Sequence, residues 1–306
     1  MQTAAQSDDY VAQAADKLTI EEIAFEAGEL PVLPQVILKL VELTNNPKVR
    51  PETVEHMIET DQGATARVLT LANSPYYGLP RRISCVREAV VILGYKSVNN
   101  LASQITVFNT FLGKGDSVSL ARRDLWKHSL YTGQCSKIIC TWLNSNDQLI
   151  VDPEEAFTAA LLHDMGKLAL LSVLPEEYAA AQIASRTSGM RFHDTERDFL
   201  PYTHAVVGNA MAERWSLPDT LCDAVLNHHS PLDSQTKPEL VAVVTLADEI
   251  ALGLHESTAP RAALETASEC VTDAAAILQF SPNVLRGITN ACRLEMSKGI
   301  SLSSYD

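Results

Sequence analysis

The amino-acid sequence predicts an all-α fold, and three observations carry this prediction. Apolar residues recur with helical rather than alternating spacing, as in VILKLVELT at 36–44 and PELVAVVTLADEIALGL at 238–254. Residues that favour helix starts precede most of these segments. Strand signals are scarce. A chain of 306 residues, 46% of them hydrophobic, is long enough to bury one large core or two smaller ones.

The first third of the chain predicts a series of short helices. Thr19 and Glu22 form a capping box ahead of a helix that Gly28 can end. Gly94 is expected to end a later helix in the same way. Further helix starts are predicted at Pro34, Pro51, Asp61, Ser84 and Ser97.

The polar, glycine-containing segment GKGDS at 113–117 predicts a linker between two helical parts. We expect a mobile N-terminal segment at 1–19, a smaller N-terminal helical subdomain at 20–115 and a second helical subdomain at 116–306. The helices of the second subdomain are predicted near 120–143, 153–163, 175–186, 203–215, 218–229, 238–253, 262–278 and 282–298.

Composition limits the functions open to this chain. A formal net charge of -14 repels phosphate backbones, and the only dibasic pairs are Arg81–Arg82 and Arg122–Arg123, so we expect no nucleic-acid binding. The apolar runs are shorter than the roughly 20 residues of a membrane span, so we expect no membrane segment. Six cysteines without a C-x-x-C pair fit reduced thiols, and we expect a cytoplasmic protein.

The stretch AFTAALLHDMGKLALL at 156–171 places His163 and Asp164 inside an apolar run. Asp152 and Pro153 start the helix that leads into it, and helical spacing puts His163 on the buried face. Gly166 is expected to end that helix, so both side chains can turn toward one point. A buried carboxylate without a partner costs several kcal/mol, so the sequence must supply compensation.

Candidate partners lie on the apolar faces of other predicted helices. Asp248 follows helical spacing with apolar residues, and His128 shares a face with tyrosine and cysteine. His204 lies at a helix N-terminus, where the helix dipole favours a neutral imidazole. His228 and His229 end a helix ahead of a proline. The remaining histidines, His56, His193 and His255, have polar neighbours and are predicted on the surface.

A divalent transition metal would neutralise the buried carboxylates. Imidazole and carboxylate ligands without cysteine suit iron, manganese, zinc or nickel. We expect one ion at His128, His163, Asp164 and Asp248, and a second at His204, His228 and His229 with Asp164 bridging. Two adjacent ions are typical of phosphate-ester hydrolysis, in which Lys167 could contact a phosphate. The alternative is a buried His–Asp hydrogen-bond network without metal, with His228 and His229 favoured by the helix dipole alone.

The order His128, His163–Asp164, Asp248 resembles the signature of the HD-domain superfamily of metal-dependent phosphohydrolases. Further blocks resemble the HDOD (HD-related output domain) family of bacterial signalling proteins: LPVLPQV at 30–36, LANSPYY at 71–77, AVVILG at 89–94, LWKHSL at 125–130, AFTAALLHDMGKLAL at 156–170, WSLP at 215–218 and LNHH at 226–229. The resemblance covers residues 20–290. It implies an HD-like helical bundle and a role in signal transduction, usually without an established catalytic activity.

HD-GYP relatives, which cleave cyclic di-GMP, carry their histidines and aspartates in the same order. Asp124 lies where some of them place an extra acidic ligand, a weaker candidate here. The segment SPLDSQTKP at 230–238 replaces their glycine-tyrosine-proline segment, which argues against cyclic di-GMP hydrolysis. We therefore expect a bacterial regulatory protein acting on a signalling partner. The alternatives are an active phosphohydrolase on a nucleotide or other phosphoester, and a nucleic-acid-binding regulator using the N-terminal helices, which the charge disfavours.

Overall fold

The structure is a computed structural model that describes residues 18–28, 32, 34–46, 48–109, 116–146, 151–255 and 268–297. Regular structure within these residues is helical, which confirms the predicted all-α fold. The N-terminal helices are α1 (Ile20–Glu26), α2 (Pro34–Asn45), α3 (Pro51–Glu59), α4 (Gln62–Ala72) and α5 (Val86–Asn109).

The C-terminal helices follow from Asp116 onward, with short 3-10 turns at Pro75–Tyr77 and Pro231–Asp233 completing the described regular structure. They are α6 (Asp116–Ser145), α7 (Pro153–Leu162), α8 (Met165–Val173), α9 (Pro175–Ser188), α10 (Phe192–Phe199), α11 (His204–Arg214), α12 (Asp219–Asn227), α13 (Pro238–His255), α14 (Glu269–Ile277) and α15 (Pro282–Ser297).

Several helix starts lie where local chemistry predicts them. Thr19 and Glu22 form the predicted capping box, and the Asp61 carboxylate accepts from the Ala64 backbone N–H. Pro34 and Pro51 are the first residues of α2 and α3. These starts depend only on neighbouring residues, so the sequence suffices to locate them.

Other boundaries differ from prediction. The helix of VREAVVILG begins at Val86, and its predicted end at Gly94 is present as a break with non-helical φ 69° and ψ 164°. The helix resumes directly after Gly94 rather than at Ser97, and the two parts are counted together as α5. Ser97 therefore lies inside α5. The helix predicted near 262–278 begins at Glu269, with 262–267 outside the described residues. Two described helices, α8 and α10, were not predicted at all.

One continuous hydrophobic core joins the N-terminal and C-terminal helices, running from Ile23 to Cys292. Within the C-terminal helices, α6 packs along α7 and α13. Across the two sets, α1 packs on α8 and α11, and α4 packs on α7. Asp116 and Ser117 of the predicted linker belong to α6, and 113–115 lie outside the described residues. The division into subdomains at residue 115 stays a prediction.

The stretch Pro153–Val173 is apolar and long enough to cross a membrane. It consists of α7 and α8, and 83% of its most apolar window is buried inside the protein. His163 and Asp164 interrupt it between the two helices. We therefore interpret its apolarity as that of a core helix pair.

Candidate metal centre

His163 and Asp164 occupy the break between α7 and α8. α7 ends at Leu162, and α8 begins at Met165. Asp164 has φ -97° and ψ 10°, which departs from helical geometry and turns the chain. The prediction that Gly166 ends a helix is wrong. Gly166 lies in the first turn of α8. The expected outcome nevertheless holds, since both side chains are buried and face one cluster.

The first acid–histidine group contains His128, His163, Asp164 and Asp248. Nε2 of His128 lies 2.9 Å from Oδ1 of Asp248 and 3.5 Å from Oδ2 of Asp164. Nε2 of His163 lies 3.4 Å and 3.5 Å from the same two oxygens, Asp164 Oδ2 and Asp248 Oδ1 respectively. Helices α6 and α13 and the break between α7 and α8 thus bring these four side chains together, as the sequence predicts.

The second acid–histidine group contains Asp164, His204, His228 and His229. Nε2 of His204 lies 3.2 Å from Oδ1 of Asp164 and 3.2 Å from Nε2 of His228. Nε2 of His229 lies 3.1 Å from Nε2 of His204. Asp164 turns one carboxylate oxygen to each group, which is the position expected of a bridging residue.

Atoms in both groups are buried yet lack hydrogen bonds of acceptable geometry within the described part of the chain. They are His128 Nε2, His163 Nε2, Asp164 Oδ1 and Asp248 Oδ1. Ligands about 2.0–2.2 Å from one ion lie about 3–3.5 Å from each other, which matches most of these separations. A buried polar atom without a partner is costly, so the residues present fit a cation between them.

Three histidines are oriented by hydrogen bonds from their other ring nitrogen. Nδ1 of His163 lies 2.6 Å from the Ala160 carbonyl oxygen, and Nδ1 of His228 lies 2.8 Å from that of Val225. A carbonyl oxygen only accepts, so Nδ1 donates and Nε2 keeps the lone pair. His204 has the same orientation through the Glu196 carboxylate. All three Nε2 atoms are therefore directed at the cluster as ligands.

Glu196 controls the electrostatics of His204, although no pattern in the sequence points to this residue. Its carboxylate is fully buried, 2.7 Å from Nδ1 of His204, and it also accepts from the His204 backbone N–H. Burial, the largest influence, lowers the pKa of His204, but the carboxylates of Glu196 and Asp164 together outweigh it and the net pKa is raised. The neutral imidazole expected from the helix dipole is therefore opposed by these carboxylates.

Charges within the cluster perturb the other groups strongly. Burial raises the pKa values of Asp164 and Asp248, but the adjacent histidines more than reverse this and hold both well below their usual range. Burial lowers the pKa of His163, but the two carboxylates raise it to about 10. The pKa values of His228 and His229 are lowered, first by burial and then by neighbouring imidazoles. Without metal, protons on His163 and Lys167 balance the carboxylates.

Lys167 lies one turn after Asp164, and its Nζ is 2.6 Å from Asp164 Oδ2. Its side chain is largely buried, with Nζ above the Phe192 ring. Burial lowers the pKa of Lys167, but the nearby acidic groups, Asp164 first and then Asp248, together outweigh burial and raise it. A permanent positive charge at the edge of the cluster is suited to an anionic ligand. The contact between Lys167 and a phosphate stays a prediction.

Two glycines allow α8 and α11 to approach closely beside the cluster. A Cβ atom on Gly166 would lie 1.9 Å from the His204 carbonyl oxygen and 2.7 Å from the Gly208 backbone nitrogen. A Cβ on Gly208 would meet the Val225 side chain at 2.9 Å. Only glycine at position 166 permits this crossing, which places His204 next to Asp164.

The remaining predicted residues fall in different places. Asp124 is exposed on α6, one turn before His128, and belongs to none of the described acid–histidine groups. His56 is exposed, as predicted, and the His255 side chain lies outside the described residues. The prediction that His193 is a surface residue is wrong. Its ring lies against those of His204 and His229. Helix α10 carries both His193 and Glu196, so missing that helix meant missing both.

Comparison with known proteins gives a family match over most of this region. The HDOD domain family matches residues 30–231. An uncharacterised protein of Treponema pallidum (strain Nichols) is 24% identical over 227 residues, which cover 74% of this chain and 43% of that protein. The chain thus spans less than half the length of that relative.

Solved structures share the helical fold. The MmoQ response regulator from Methylococcus capsulatus str. Bath is similar, with a TM-score of 0.60 at 22% identity, covering 85% of this chain and 98% of that chain. An HDOD domain protein of unknown function from Geobacter sulfurreducens has a TM-score of 0.51 at 25% identity, covering 93% of this chain and 99% of its own. With the family match extending over well more than half of its length, this chain belongs to the HDOD domain family.

Proposed function

We propose that this chain is a bacterial signal-transduction protein whose HDOD domain acts through protein or ligand binding, around a centre that holds one or two divalent transition-metal ions. We propose a cytoplasmic location for it, which suits its six buried free thiols. The similarity to a response regulator supports the signalling part of the proposal. The metal is iron, manganese, zinc or nickel, the ions that imidazole and carboxylate ligands suit.

The observation that carries the metal assignment is the set of buried, unpartnered ligand atoms facing one another. His128, His163, Asp164 and Asp248 would hold the first ion. His204, His228 and His229 would hold the second, with Asp164 shared. Nε2 of His163, His204 and His228 is oriented from behind by a carbonyl or carboxylate, as in metal-binding histidines.

The alternative function is hydrolysis of a nucleotide or other phosphoester, and Lys167 favours it. Its ammonium group lies at the edge of the cluster, where it would bind and orient a phosphoryl oxygen. Bound ions would supply Lewis-acid polarisation and a water of lowered pKa. We favour the regulatory role because SPLDSQTKP at 230–238 replaces the glycine-tyrosine-proline segment of the cyclic di-GMP-cleaving relatives.

Elemental analysis of protein purified without chelators tests the metal centre, and hydrolysis of a generic phosphodiester by the loaded protein separates the two functions. We expect one to two equivalents of a transition metal and no turnover above that of an Asp164→Ala variant. Turnover that requires both Asp164 and Lys167 would establish the hydrolase instead. Absence of bound metal in protein reloaded with each candidate ion would refute the centre.

A further inference from the structure

His193 lies beside the second acid–histidine group, contacting two of its members. A ligand nitrogen of His193 lies within 4.8 Å of ligand nitrogens of His204 and His229. Its ring stacks on that of His229, with centroids 4.1 Å apart. The side chain is 14% exposed, and its Nδ1 is buried without a hydrogen-bond partner among the described residues. The nearest acceptor is Glu196 Oε1, 3.4 Å away, and the contact does not have hydrogen-bond geometry. That carboxylate is already bonded to His204, so Nδ1 of His193 is left without a well-formed partner.

Helix α10 holds His193 in this position. Glu196, one turn later on α10, is bonded to both the backbone N–H and Nδ1 of His204. Phe192, next to His193, packs on Tyr178 of α9. The helix is therefore fixed to the cluster on one side and to the core on the other, so His193 cannot turn away without loss of these contacts.

We propose that His193 is a further ligand of the second metal ion, through Nδ1. This inference rests on the proposed metal centre. The second ion would then have five protein ligands: Asp164, His193, His204, His228 and His229. Catalytic ions keep a position open for water or substrate, whereas ions enclosed by protein ligands serve structure or sensing. His193 thus specialises this HDOD centre for holding an ion rather than for hydrolysis.

Two described contacts must change for this ligation. Nδ1 of His193 must leave Glu196 Oε1, 3.4 Å away, which keeps its bonds to His204. Nε2 of His193 lies 3.1 Å from the Arg197 guanidinium, which only donates. Ligation through Nδ1 moves the ring proton to Nε2, so Arg197 must release that nitrogen. Arg197 is exposed, and water can replace it at little cost.

The experiment uses Co²⁺ as a spectroscopic probe in the full chain freed of metal. The parent is compared with His193→Ala, with His193→Gln as a variant that retains volume, and with Arg197→Ala as a control that leaves the ring in place. For each protein we measure the affinity of the second Co²⁺, the visible spectrum, and the spectral response to azide and to imidazole.

We expect both His193 variants to bind the second Co²⁺ more weakly by about tenfold or more. Loss of a supporting residue could cause a similar drop, so the spectral response to azide separates a ligand from a supporting residue. Azide should change the spectrum of His193→Ala but not that of the parent, and added imidazole should restore the parent spectrum. Arg197→Ala should match the parent. If both His193 variants keep the affinity and spectrum of the parent while two ions bind, His193 is not a ligand and the metal centre stands. If the parent binds no Co²⁺, the proposed centre and this inference both fail.

Discussion

Glu196 shows how a single residue outside the ligand set determines what a ligand can do. Its carboxylate fixes Nδ1 of His204 as the donor and so leaves Nε2 for an ion. The same carboxylate raises the pKa of His204, so protons compete with metal for Nε2. A supporting carboxylate therefore sets both the orientation of the ligand and the pH at which it becomes available.

Replacing Glu196 with glutamine should weaken binding of the second ion. The amide still accepts a hydrogen bond but carries no charge, so the pKa of His204 should fall while its orientation persists. We expect a loss of about 10-fold to 100-fold in affinity for the second ion, measured by competition with a chromophoric chelator. The exposed Glu176→Gln, on α9, is the control. Unchanged affinity in Glu196→Gln would show that His204 is not a ligand.

Glu59 is another buried carboxylate, and it belongs to neither acid–histidine group. Its Oε1 has no hydrogen-bond partner among described residues, and Lys137 Nζ lies 3.8 Å from its Oε2. Burial is the largest cause that raises its pKa to about 7, with Lys137 opposing and Glu154 and Glu55 adding to the rise. The folded state therefore binds this proton more tightly than the unfolded state, and the associated stability is lost as pH rises through about 7.

Glu59→Gln should accordingly stabilise the protein at pH 8 by roughly 3 kcal/mol, since each tenfold change in proton affinity is about 1.4 kcal/mol. The advantage over the parent should shrink as pH falls from 8.5 toward 5.5, as measured by urea unfolding at each pH. Glu52→Gln, exposed in the first turn of α3, should show no such trend. A constant difference between Glu59→Gln and parent at all pH values would contradict the assignment.

At the scale of helices, local chemistry predicts starts better than interruptions. The capping box at Thr19 and the proline at 51 depend on residues adjacent in sequence. The start of α8 at Met165 does not depend on neighbouring residues alone. It needs the buried cluster, which holds Asp164 out of helical geometry. Helix α10 has a mostly polar sequence, FHDTERDF. Only its contacts with α9 and His204 show that it positions His193 and Glu196.

The crossing of α8 and α11 predicts a strong effect for one methyl group. In Gly166→Ala the new Cβ would overlap backbone atoms of α11, which cannot move without shifting His204. We expect a loss of about 3 kcal/mol or more in unfolding free energy, with weaker binding of the second ion. Gly253→Ala in α13 has open space around its Cβ and should gain up to about 1 kcal/mol. Equal effects at the two sites, measured by denaturant unfolding, would refute this packing argument.

At the scale of the whole molecule, the fold gathers side chains from His128 to Asp248 into one cluster. Their convergence was predictable because each is a polar residue on an apolar helix face, and buried carboxylates need partners. Glu196 and His193 were not predictable in this way, since their helix is short and only Phe192 and Phe199 in it are apolar. Pairing of Arg81 with Glu88 and of Arg82 with Asp219 likewise depends on tertiary contacts.

Bound ions should stabilise the whole chain, because their ligands come from α6, the α7–α8 break, α11, the end of α12 and α13. Ion binding to the folded state alone adds about 2.7 kcal/mol when free metal is at 100 times its dissociation constant. Chelation should therefore lower the thermal unfolding midpoint, and metal should restore it. The effect should disappear at acidic pH, because protonated His163 and His204 cannot bind metal.

In Asp164→Ala, which removes the oxygens shared by both ions, a chelator should leave the unfolding midpoint unchanged. A midpoint unaffected by chelation in a metal-loaded parent would mean that the centre contributes nothing to folding, and that the helices converge through packing alone.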